Sequence, residues 1–349
     1  MHISELDTPV AVIDLDRLEA NIAHLQQYLD AHQILNRPHI KTHKIPSIAQ
    51  MQLQAGAAGI TCQKLGEAEI MAQAGILDIF IPYNLMGNQK LARLAALMQV
   101  AQISVTADSE YTVRGLAQAA QQASRELTVL VEFDTGSGRC GVQNSQQAVE
   151  LACLIADMPL LKFGGLMTYP ANQNTASFVQ DTKILLEKRG IGVERVSLGG
   201  TPRMWEAHTH TGVTEYRAGT YVYGDRATLK AGAMTLEQCA MRIISTVISR
   251  PTAERGILDA GSKTLSSDLM GLTGYGLILE YPEAQIYQLS EEHGHVDFSA
   301  CATKPAIGER VTIIPNHCCV VSNLFNQIVG VRDEQVEVVW DVAARGLLT

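Results

Sequence analysis

The feature that most constrains the fold of this chain is an alternation of short apolar runs with longer amphipathic segments. The run at 10–13 is typical of a strand, and residues 14–32 after it have helical spacing. The pattern recurs to give about eight strand–helix units, the last strand lying at 192–200. Because eight such units in about 220 residues imply parallel strands with helical crossovers, they predict a TIM (β/α)8 barrel. A doubly wound open sheet is the alternative.

The character of the sequence changes after about residue 235. β-Branched runs there are separated by Gly, Pro and charged turns, and long helical periods are absent. This pattern predicts an antiparallel β domain. We therefore expect two domains, a barrel over residues 1–234 and a C-terminal β domain over residues 235–349.

Composition excludes several classes of protein. Acidic residues number 36 against 27 basic ones, so the formal net charge of −9 argues against a nucleic-acid partner or an anionic membrane surface. No apolar run approaches the roughly 18 residues that a membrane-spanning helix needs. The N-terminus shows no secretory signal, and seven scattered cysteines are typical of a reduced chain. We expect a cytoplasmic enzyme that acts on a small molecule.

The densest group of chemically active side chains is RPHIKTHK at 37–44, at the end of the second predicted strand. A barrel keeps its active site at the carboxyl ends of its strands. Neighbouring positive charge and partial burial would both lower the pKa of Lys41, which favours the free amine used in Schiff-base chemistry. A surface basic patch or a phosphate-binding loop is the alternative.

A glycine turn, VSLGGTP at 196–202, follows the last predicted barrel strand. Gly199 and Gly200 would let backbone amides approach an anion, and the hydroxyl of Thr201 could add a donor. Loops after strands 7 and 8 commonly bind phosphate in such barrels. An ordinary tight turn is the alternative.

The predicted β domain contains PNHCCVVSN at 315–323. His317 and Cys319 are two residues apart, so on a strand they would face the same side and could hold one metal ion. Sulfur and nitrogen ligands favour Zn²⁺ over Mg²⁺. A pair of core residues is the alternative, and Cys318 is expected to be a buried thiol.

Other candidate residues carry weaker signals. Arg139 follows the sixth predicted strand and could hold a polar atom of a cofactor ring, or form a structural salt bridge. Tyr169 follows the seventh strand and could stack or hydrogen-bond in the barrel mouth. The remaining candidates are polar loop residues, namely Asp259, Lys263, Asp268 and the two HxH pairs His208/His210 and His293/His295.

These segments, in this order, resemble the D-threonine aldolase and D-serine dehydratase-like enzymes of pyridoxal phosphate (PLP) fold type III, which are related to alanine racemase. The resemblance runs from TPVAVIDLDRLEANI through RPHIKTHK, DTGSGRCGV, RAGTYVYGDR and PNHCCVVSN to WDVAARG. It implies PLP on Lys41 and a divalent metal on His317 and Cys319. It also implies a cofactor pocket formed by Arg139, Tyr169, Gly199, Gly200, Thr201 and Tyr221. The resemblance further implies a homodimer whose active site is completed by the partner's β domain.

The family divides by chemistry between dehydratases and aldolases of D-3-hydroxy amino acids. Cys319 is the dehydratase-like second metal ligand, where well-known aldolases have Asp. Those aldolases also tend to carry a His soon after the barrel tyrosine, whereas no His lies between Tyr169 and His208 here. An aldolase would need another base, for example His43 or a metal-bound hydroxide. We therefore predict a dehydratase that releases a 2-oxo acid and ammonia, with Zn²⁺ favoured over Mn²⁺. An aldolase, a racemase and a non-catalytic PLP-binding protein are the alternatives.

Overall fold

The computed structural model describes all 349 residues, and its strands form two sheets. The strands in chain order are β1 Val10–Asp14, β2 Leu35–Asn36, β3 Ile60–Thr61, β4 Asp78–Ile81, β5 Gln102–Ala107, β6 Leu127–Glu132, β7 Leu161–Met167, β8 Arg195–Gly199, β9 Glu215–Arg217, β10 Met241–Ser249, β11 Arg255–Leu258, β12 Gly276–Ile278, β13 Gln285–Leu289, β14 Gly294–Asp297, β15 Arg310–Pro315, β16 Gln327–Arg332 and β17 Gln335–Asp341.

Most of the helices lie in the first two thirds of the chain. They are α1 Leu15–Ala31, α2 Pro46–Gln54, α3 Leu65–Gln73, α4 Asn88–Leu97, α5 Glu110–Ala123, α6 Ser145–Asp157, α7 Thr175–Glu187, α8 Arg226–Lys230, α9 Ser262–Leu265 and α10 Cys318–Leu324. Side-chain caps begin several of them. For example, Asn144 accepts a hydrogen bond from the Gln147 amide at the start of α6.

Eight parallel strands form the barrel, in the order β2-β9-β8-β7-β6-β5-β4-β3. A bridge between His39, just after β2, and Thr61 of β3 joins the two ends of this sheet. The strands are almost wholly buried, as expected for parallel strands covered by helices. The predicted TIM barrel is therefore confirmed.

The membership of the barrel differs from the prediction at its first and last strands. The run at 10–13 is a strand, β1, but it pairs with β10 and β16 in the other sheet. The barrel begins instead at β2, and its eighth strand is β9, a three-residue strand that the periodicity missed. Lys41 therefore follows the first barrel strand and the glycine turn follows the seventh.

One basic residue of the 37–44 segment has a structural role inside the barrel. The Arg37 guanidinium donates through Nε to Glu215 and through Nη1 to Asp78, both at 2.6 Å. Arg37 and Glu215 are both buried, and their pairing removes the cost of leaving either charge alone. Arg37 thus ties β2 to β9 and is not available to bind a ligand.

The second sheet has nine strands, seven of them in the order β13-β14-β11-β10-β1-β16-β17. The remaining two attach through the pairs β10–β15 and β12–β15. Every pair is antiparallel except β1 with β16, which is parallel. The expected β domain is therefore present, with one parallel pair that depends on the N-terminal strand.

The chain divides into two compact units. The first contains residues 1–24, 42–45 and 220–346, and the second contains residues 25–41, 46–219 and 347–349. The second unit holds the barrel sheet and the first holds the nine-stranded sheet. None of the helices combines the length and the apolar character that crossing a bilayer would require.

Candidate functional site

A small cationic cavity lies within the barrel unit at the carboxyl ends of its strands. It is lined by His39, Lys41, Gln63, Pro82, Arg139, Met167, Tyr169 and Arg217. Lys41 lies in a single 3-10 turn directly after β2. Its Nζ is 5.5 Å from the centre of the Tyr169 ring, and the Arg139 guanidinium is 4.9 Å from the same centre. The structure thus brings three of the predicted residues together.

His39 lies in the same cavity as a neutral imidazole. Burial, together with the charges of Lys41 and Arg217, holds its pKa well below the usual value. Its Nε2 is 3.0 Å from the Gln63 side-chain oxygen, and its Nδ1 accepts a long hydrogen bond from the Lys41 amide. Both ring nitrogens are therefore engaged, and His39 does not compete with Lys41 for positive charge.

Arg217, at the end of β9, is a lining residue that the sequence did not single out. Its Nε donates to Ser197 Oγ at 2.8 Å and its Nη2 donates to the Thr168 carbonyl at 2.9 Å. Burial lowers its pKa to about 10, so the guanidinium stays charged near neutrality. Arg217 therefore adds a fixed positive charge to the cavity.

The glycine turn after β8 has the backbone conformation that only glycine adopts readily. Gly200 has a φ of +121°, and a Cβ there would lie 3.5 Å from the Tyr169 ring. A Cβ on Gly199 would meet the Arg217 carbonyl at 2.8 Å. The Gly200 amide donates to that carbonyl at 3.1 Å. Thr201 begins a 3-10 helix in which Pro202 has no amide hydrogen and the Arg203 amide donates to the Gly200 carbonyl at 3.4 Å.

The residues present fit a phosphorylated pyridine aldehyde. Three cationic side chains face one cavity, a tyrosine ring lies between two of them, and a glycine cradle and a helix start lie beside that ring. The positive charges and the helix start suit an anionic phosphate, and the tyrosine suits a flat ring. The amine of Lys41 can react with an aldehyde. Lys41, Arg139, Tyr169, Arg217 and Thr201 are the residues that would hold it.

Glu132, at the end of β6, is a buried carboxyl group beside the cavity. It is 3% exposed and its Oε1 is 3.7 Å from Arg139 Nη2. Burial raises its pKa from 4.5 to about 7, although Arg139 and Arg217 oppose the shift. Because the folded chain keeps a proton that the unfolded chain releases, this group should make stability fall as the pH rises from about 4.5 to about 7.

We expect Glu132→Gln to remove that loss of stability. A pKa raised from 4.5 to about 7 corresponds to about 3 kcal/mol at about 1.4 kcal/mol per pH unit. The free energy of unfolding, measured in urea at about pH 5 and about pH 8, should therefore fall less in the variant than in the wild type. Glu150→Gln, at an exposed position on α6, is the control and should behave like the wild type. Equal pH dependence in all three proteins would contradict the assignment.

The second set of predicted residues lies in the other unit and differs from the prediction in its local structure. His317 and Cys319 are not on a strand. His317 is the N-cap residue of helix α10, and Cys319 lies in its first turn. The buried carboxylate of Asp225 accepts a hydrogen bond from the Cys318 amide at 3.0 Å, and this contact helps to start the helix there.

The imidazole of His317 and the thiol of Cys319 are nevertheless hydrogen-bonded to each other. A hydrogen bond from Cys318 is the largest of the contacts that hold the pKa of the Cys319 thiol well below its usual value, although burial opposes it. His317 and Thr42 contribute in the same direction. The Thr42 hydroxyl lies 3.2 Å from the Cys319 sulfur and the Thr220 hydroxyl lies 3.6 Å from it. These contacts favour the thiolate of Cys319, which is the form of cysteine that binds metals.

Tyr223 adds a polar group that the sequence did not reveal. Its hydroxyl is buried without a hydrogen-bond partner in the chain. Burial raises its pKa well above the usual value, and Cys318 and Cys319 add to that effect. A buried hydroxyl of this kind marks a place where a further polar group is accommodated.

The donor set fits a divalent cation. An imidazole and a low-pKa thiolate are ligands typical of zinc. No third imidazole, thiol or carboxylate joins them in a cluster of ligating side chains. Two protein ligands would leave other coordination positions for water or substrate, which is typical of catalytic rather than structural sites.

The remaining predicted residues are dispersed. Tyr221 is buried in the 3-10 turn Thr220–Val222, in the unit that contains Cys319. His43 is buried in the same unit, and its Nδ1 accepts a hydrogen bond from the Ile45 amide. The ring of His208 stacks on that of His32, with 4.2 Å between the ring centres. His208 belongs to no group of three or more side chains that could hold a metal ion.

Two family models match the chain. The alanine racemase N-terminal domain matches residues 13–227, and a model described as "Putative serine dehydratase domain" matches residues 240–331. A D-threonine aldolase from Arthrobacter sp. is 36% identical over 366 residues, which cover 99% of this chain and 94% of that protein. D-threo-3-hydroxyaspartate dehydratase from Delftia sp. (strain HT23) is 31% identical, with 92% and 93% covered.

Solved structures agree with this placement. D-threonine aldolase from Filomicrobium marinum superposes with a TM-score of 0.89 at 30% identity, covering 99% of this chain and 97% of that one. Two variants of D-threo-3-hydroxyaspartate dehydratase superpose with TM-scores of 0.88 at 28% identity, covering 98% of this chain and 96% or 98% of theirs. One replaces a histidine. The other replaces a cysteine two positions later and is described as the metal-free form. This chain belongs to the family of alanine racemase-like barrels with a serine dehydratase domain, and it is a PLP-dependent lyase of that family.

Proposed function

We propose that this chain is a PLP- and divalent-metal-dependent dehydratase of D-3-hydroxy amino acids, which releases a 2-oxo acid and ammonia. The observation that carries the proposal is the pair formed by His317 and the low-pKa thiol of Cys319. The dehydratase variants described above replace a histidine and a cysteine with the same spacing. The aldolase and dehydratase relatives both act on D-3-hydroxy amino acids, which sets the substrate class.

Lys41 is the residue proposed to bond to the cofactor and then to move a proton. PLP, when bound, supplies an electron sink for the negative charge that develops at the substrate Cα. Nζ of Lys41 would then be the base that accepts the Cα proton of the substrate. Arg217 and Arg139 keep the cavity cationic, which suits both the phosphate and the substrate carboxylate.

His317 and Cys319 are proposed to hold the divalent cation, with Zn²⁺ favoured by the nitrogen and sulfur donors and Mn²⁺ as the alternative. The cation would supply Lewis-acid assistance to the departure of hydroxide from Cβ. Loss of water gives an enamine, which tautomerises to an imine; the imine adds water and releases ammonia. Overall, one hydroxy amino acid gives one 2-oxo acid and one ammonia, because the water that is lost is added back.

Retro-aldol cleavage to glycine and an aldehyde is the second candidate, favoured by the 36% identity to a D-threonine aldolase. That reaction needs a base to take the proton of the 3-hydroxyl. Of the basic side chains that line the barrel cavity, His39 has both ring nitrogens engaged, and Lys41 is already assigned to the cofactor. This lining supports dehydration over cleavage.

We further propose a homodimer, as the resemblance implies.

The decisive experiment is a product analysis with three substrates. Purified protein loaded with PLP and Zn²⁺ is incubated separately with D-serine, D-threonine and D-threo-3-hydroxyaspartate. Ammonia with 2-oxo acid is quantified against glycine with aldehyde, and L-serine is the stereochemical control. We expect ammonia and 2-oxo acid in equal amounts from at least one D-substrate and nothing from L-serine.

Each other outcome selects a different function. Glycine and aldehyde as main products would replace the dehydratase by the aldolase. The L-isomer without ammonia would indicate a racemase. Stable PLP binding with no turnover of any substrate would favour a non-catalytic PLP-binding protein.

A further inference from the structure

The loop residue Asp268 makes a short polar contact to the imidazole of His317. Its Oδ2 lies 2.7 Å from His317 Nδ1. His317 occupies the N-cap position of α10, yet its side chain makes no capping hydrogen bond. The ring therefore makes no capping bond to the helix amides; Asp268 fixes one side of it, and Cys319 contacts it from the first turn of α10.

The carboxylate of Asp268 is itself held by its loop. Its Oδ1 accepts a hydrogen bond from the Met270 amide at 3.2 Å, and its own amide donates to the Ser266 hydroxyl at 3.0 Å. The two carboxylate oxygens thus have separate roles, one toward the loop and one toward His317. Because the loop fixes the carboxylate before any ligand arrives, little further ordering is needed when a cation binds.

The contact of Asp268 with Nδ1 of His317 determines which nitrogen of the ring can bind a cation. With Nδ1 against Asp268, Nε2 is the ring nitrogen left for a cation. Carboxylates that bind the outer nitrogen of a ligating histidine fix its tautomer and increase its basicity. We propose that Asp268 is a positioning residue that keeps the proton of His317 on Nδ1 and presents Nε2 to the cation. This inference rests on the proposed metal site.

An ordinary surface ion pair is the competing explanation, and the chain offers one for comparison. His2 Nε2 lies 3.2 Å from Glu334, with side chains 40% and 75% exposed. The pair of His317 with Asp268 is shorter and less exposed, at 24% and 38%. Glu334→Gln, which breaks the surface pair, is therefore a matched control.

The test measures Zn²⁺ affinity of the PLP-loaded protein by competition with a chromophoric chelator. Asp268→Ala should weaken Zn²⁺ binding by roughly 10- to 100-fold, the range found when outer partners of metal ligands are removed. Asp268→Asn, which keeps an acceptor oxygen but loses the charge, should weaken it less. Glu334→Gln should bind as tightly as the wild type. Nitrogen-15 NMR of the Zn²⁺ form should show a protonated Nδ1 on His317 in the wild type and loss of that single state in Asp268→Ala.

The outcomes separate this inference from the proposed function. Equal Zn²⁺ binding by the wild type and His317→Ala would overturn the proposed metal site. Loss of binding in His317→Ala with unchanged binding in both Asp268 variants would overturn only the positioning role. If Asp268→Ala fails to fold, as judged by circular dichroism, the comparison of Asp268→Asn with Glu334→Gln decides the question, and equal affinity of these two variants would refute the role.

Discussion

Replacing Lys41 by alanine is expected to remove the near-visible absorption band of lysine-bound PLP and to abolish turnover. Lys41 is the one primary amine among the residues that line the barrel cavity, and its Nζ lies 5.5 Å from the Tyr169 ring. Proton transfer by a positioned side chain alone contributes about 10²- to 10⁴-fold. Because the same amine would also bond to the cofactor, we expect a loss at or beyond the upper end of that range. Absorption spectra and turnover of the purified variant provide the measurement.

Two further variants separate the amine from its charge. Lys41→Arg keeps the positive charge of the cavity but offers no amine that can bond to the aldehyde, so it should retain phosphate binding without the absorption band. Lys162→Ala removes a surface lysine paired with Glu194 and should behave like the wild type. An unchanged absorption band in Lys41→Ala would show that another residue carries the cofactor.

Periodicity predicted the barrel but not the sheet that each strand joins. The apolar run of β1 resembles any barrel strand, yet β1 pairs with β10 and β16, from the far end of the chain. That choice depends on partners more than 200 residues away, which a local pattern does not contain. Strand β9 has three residues and was missed, although it supplies Arg217 to the cavity.

The site residues that the sequence revealed are those carried by local motifs. Lys41, Arg139 and Tyr169 belong to quoted segments and do meet in one cavity. Glu132 carried no local signal, because its raised pKa results from burial beside Arg139. Tyr223, although it lies in the quoted segment RAGTYVYGDR, was likewise not singled out, and its burial next to the cysteines is a tertiary effect.

The prediction that His317 and Cys319 face the same side supposed a strand, whereas the structure has the start of a helix there. The β-branched run in CCVVS favours a strand locally, but the chain leaves β15 at Pro315 and begins α10 at Cys318. Asp225, 93 residues earlier, accepts the Cys318 amide and favours the helix. The sequence nevertheless predicts that His317 pairs with Cys319. Their side chains meet at the start of α10, where His317 is the N-cap residue and Cys319 lies in the first turn.

Replacing His317 by alanine is expected to remove the metal requirement together with most of the activity. His317 and Cys319 are the two side chains proposed to hold the cation, and Lewis-acid assistance contributes several kcal/mol to a transition state. At about 1.4 kcal/mol per tenfold, the loss in turnover should be about 100- to 1000-fold. Cys319→Ala should give a similar loss. Turnover measured with EDTA and then with added Zn²⁺ or Mn²⁺ provides the readout.

The pattern of rescue distinguishes a metal site from a structural pair. EDTA should silence the wild type while PLP remains bound, and added Zn²⁺ should restore it, whereas neither treatment should change the residual rate of His317→Ala. Cys301→Ala removes another buried thiol, whose pKa is raised by burial, and should respond to EDTA and Zn²⁺ as the wild type does. Because EDTA removes the cation on which the proposed chemistry depends, full wild-type turnover in EDTA would contradict a catalytic metal at His317 and Cys319.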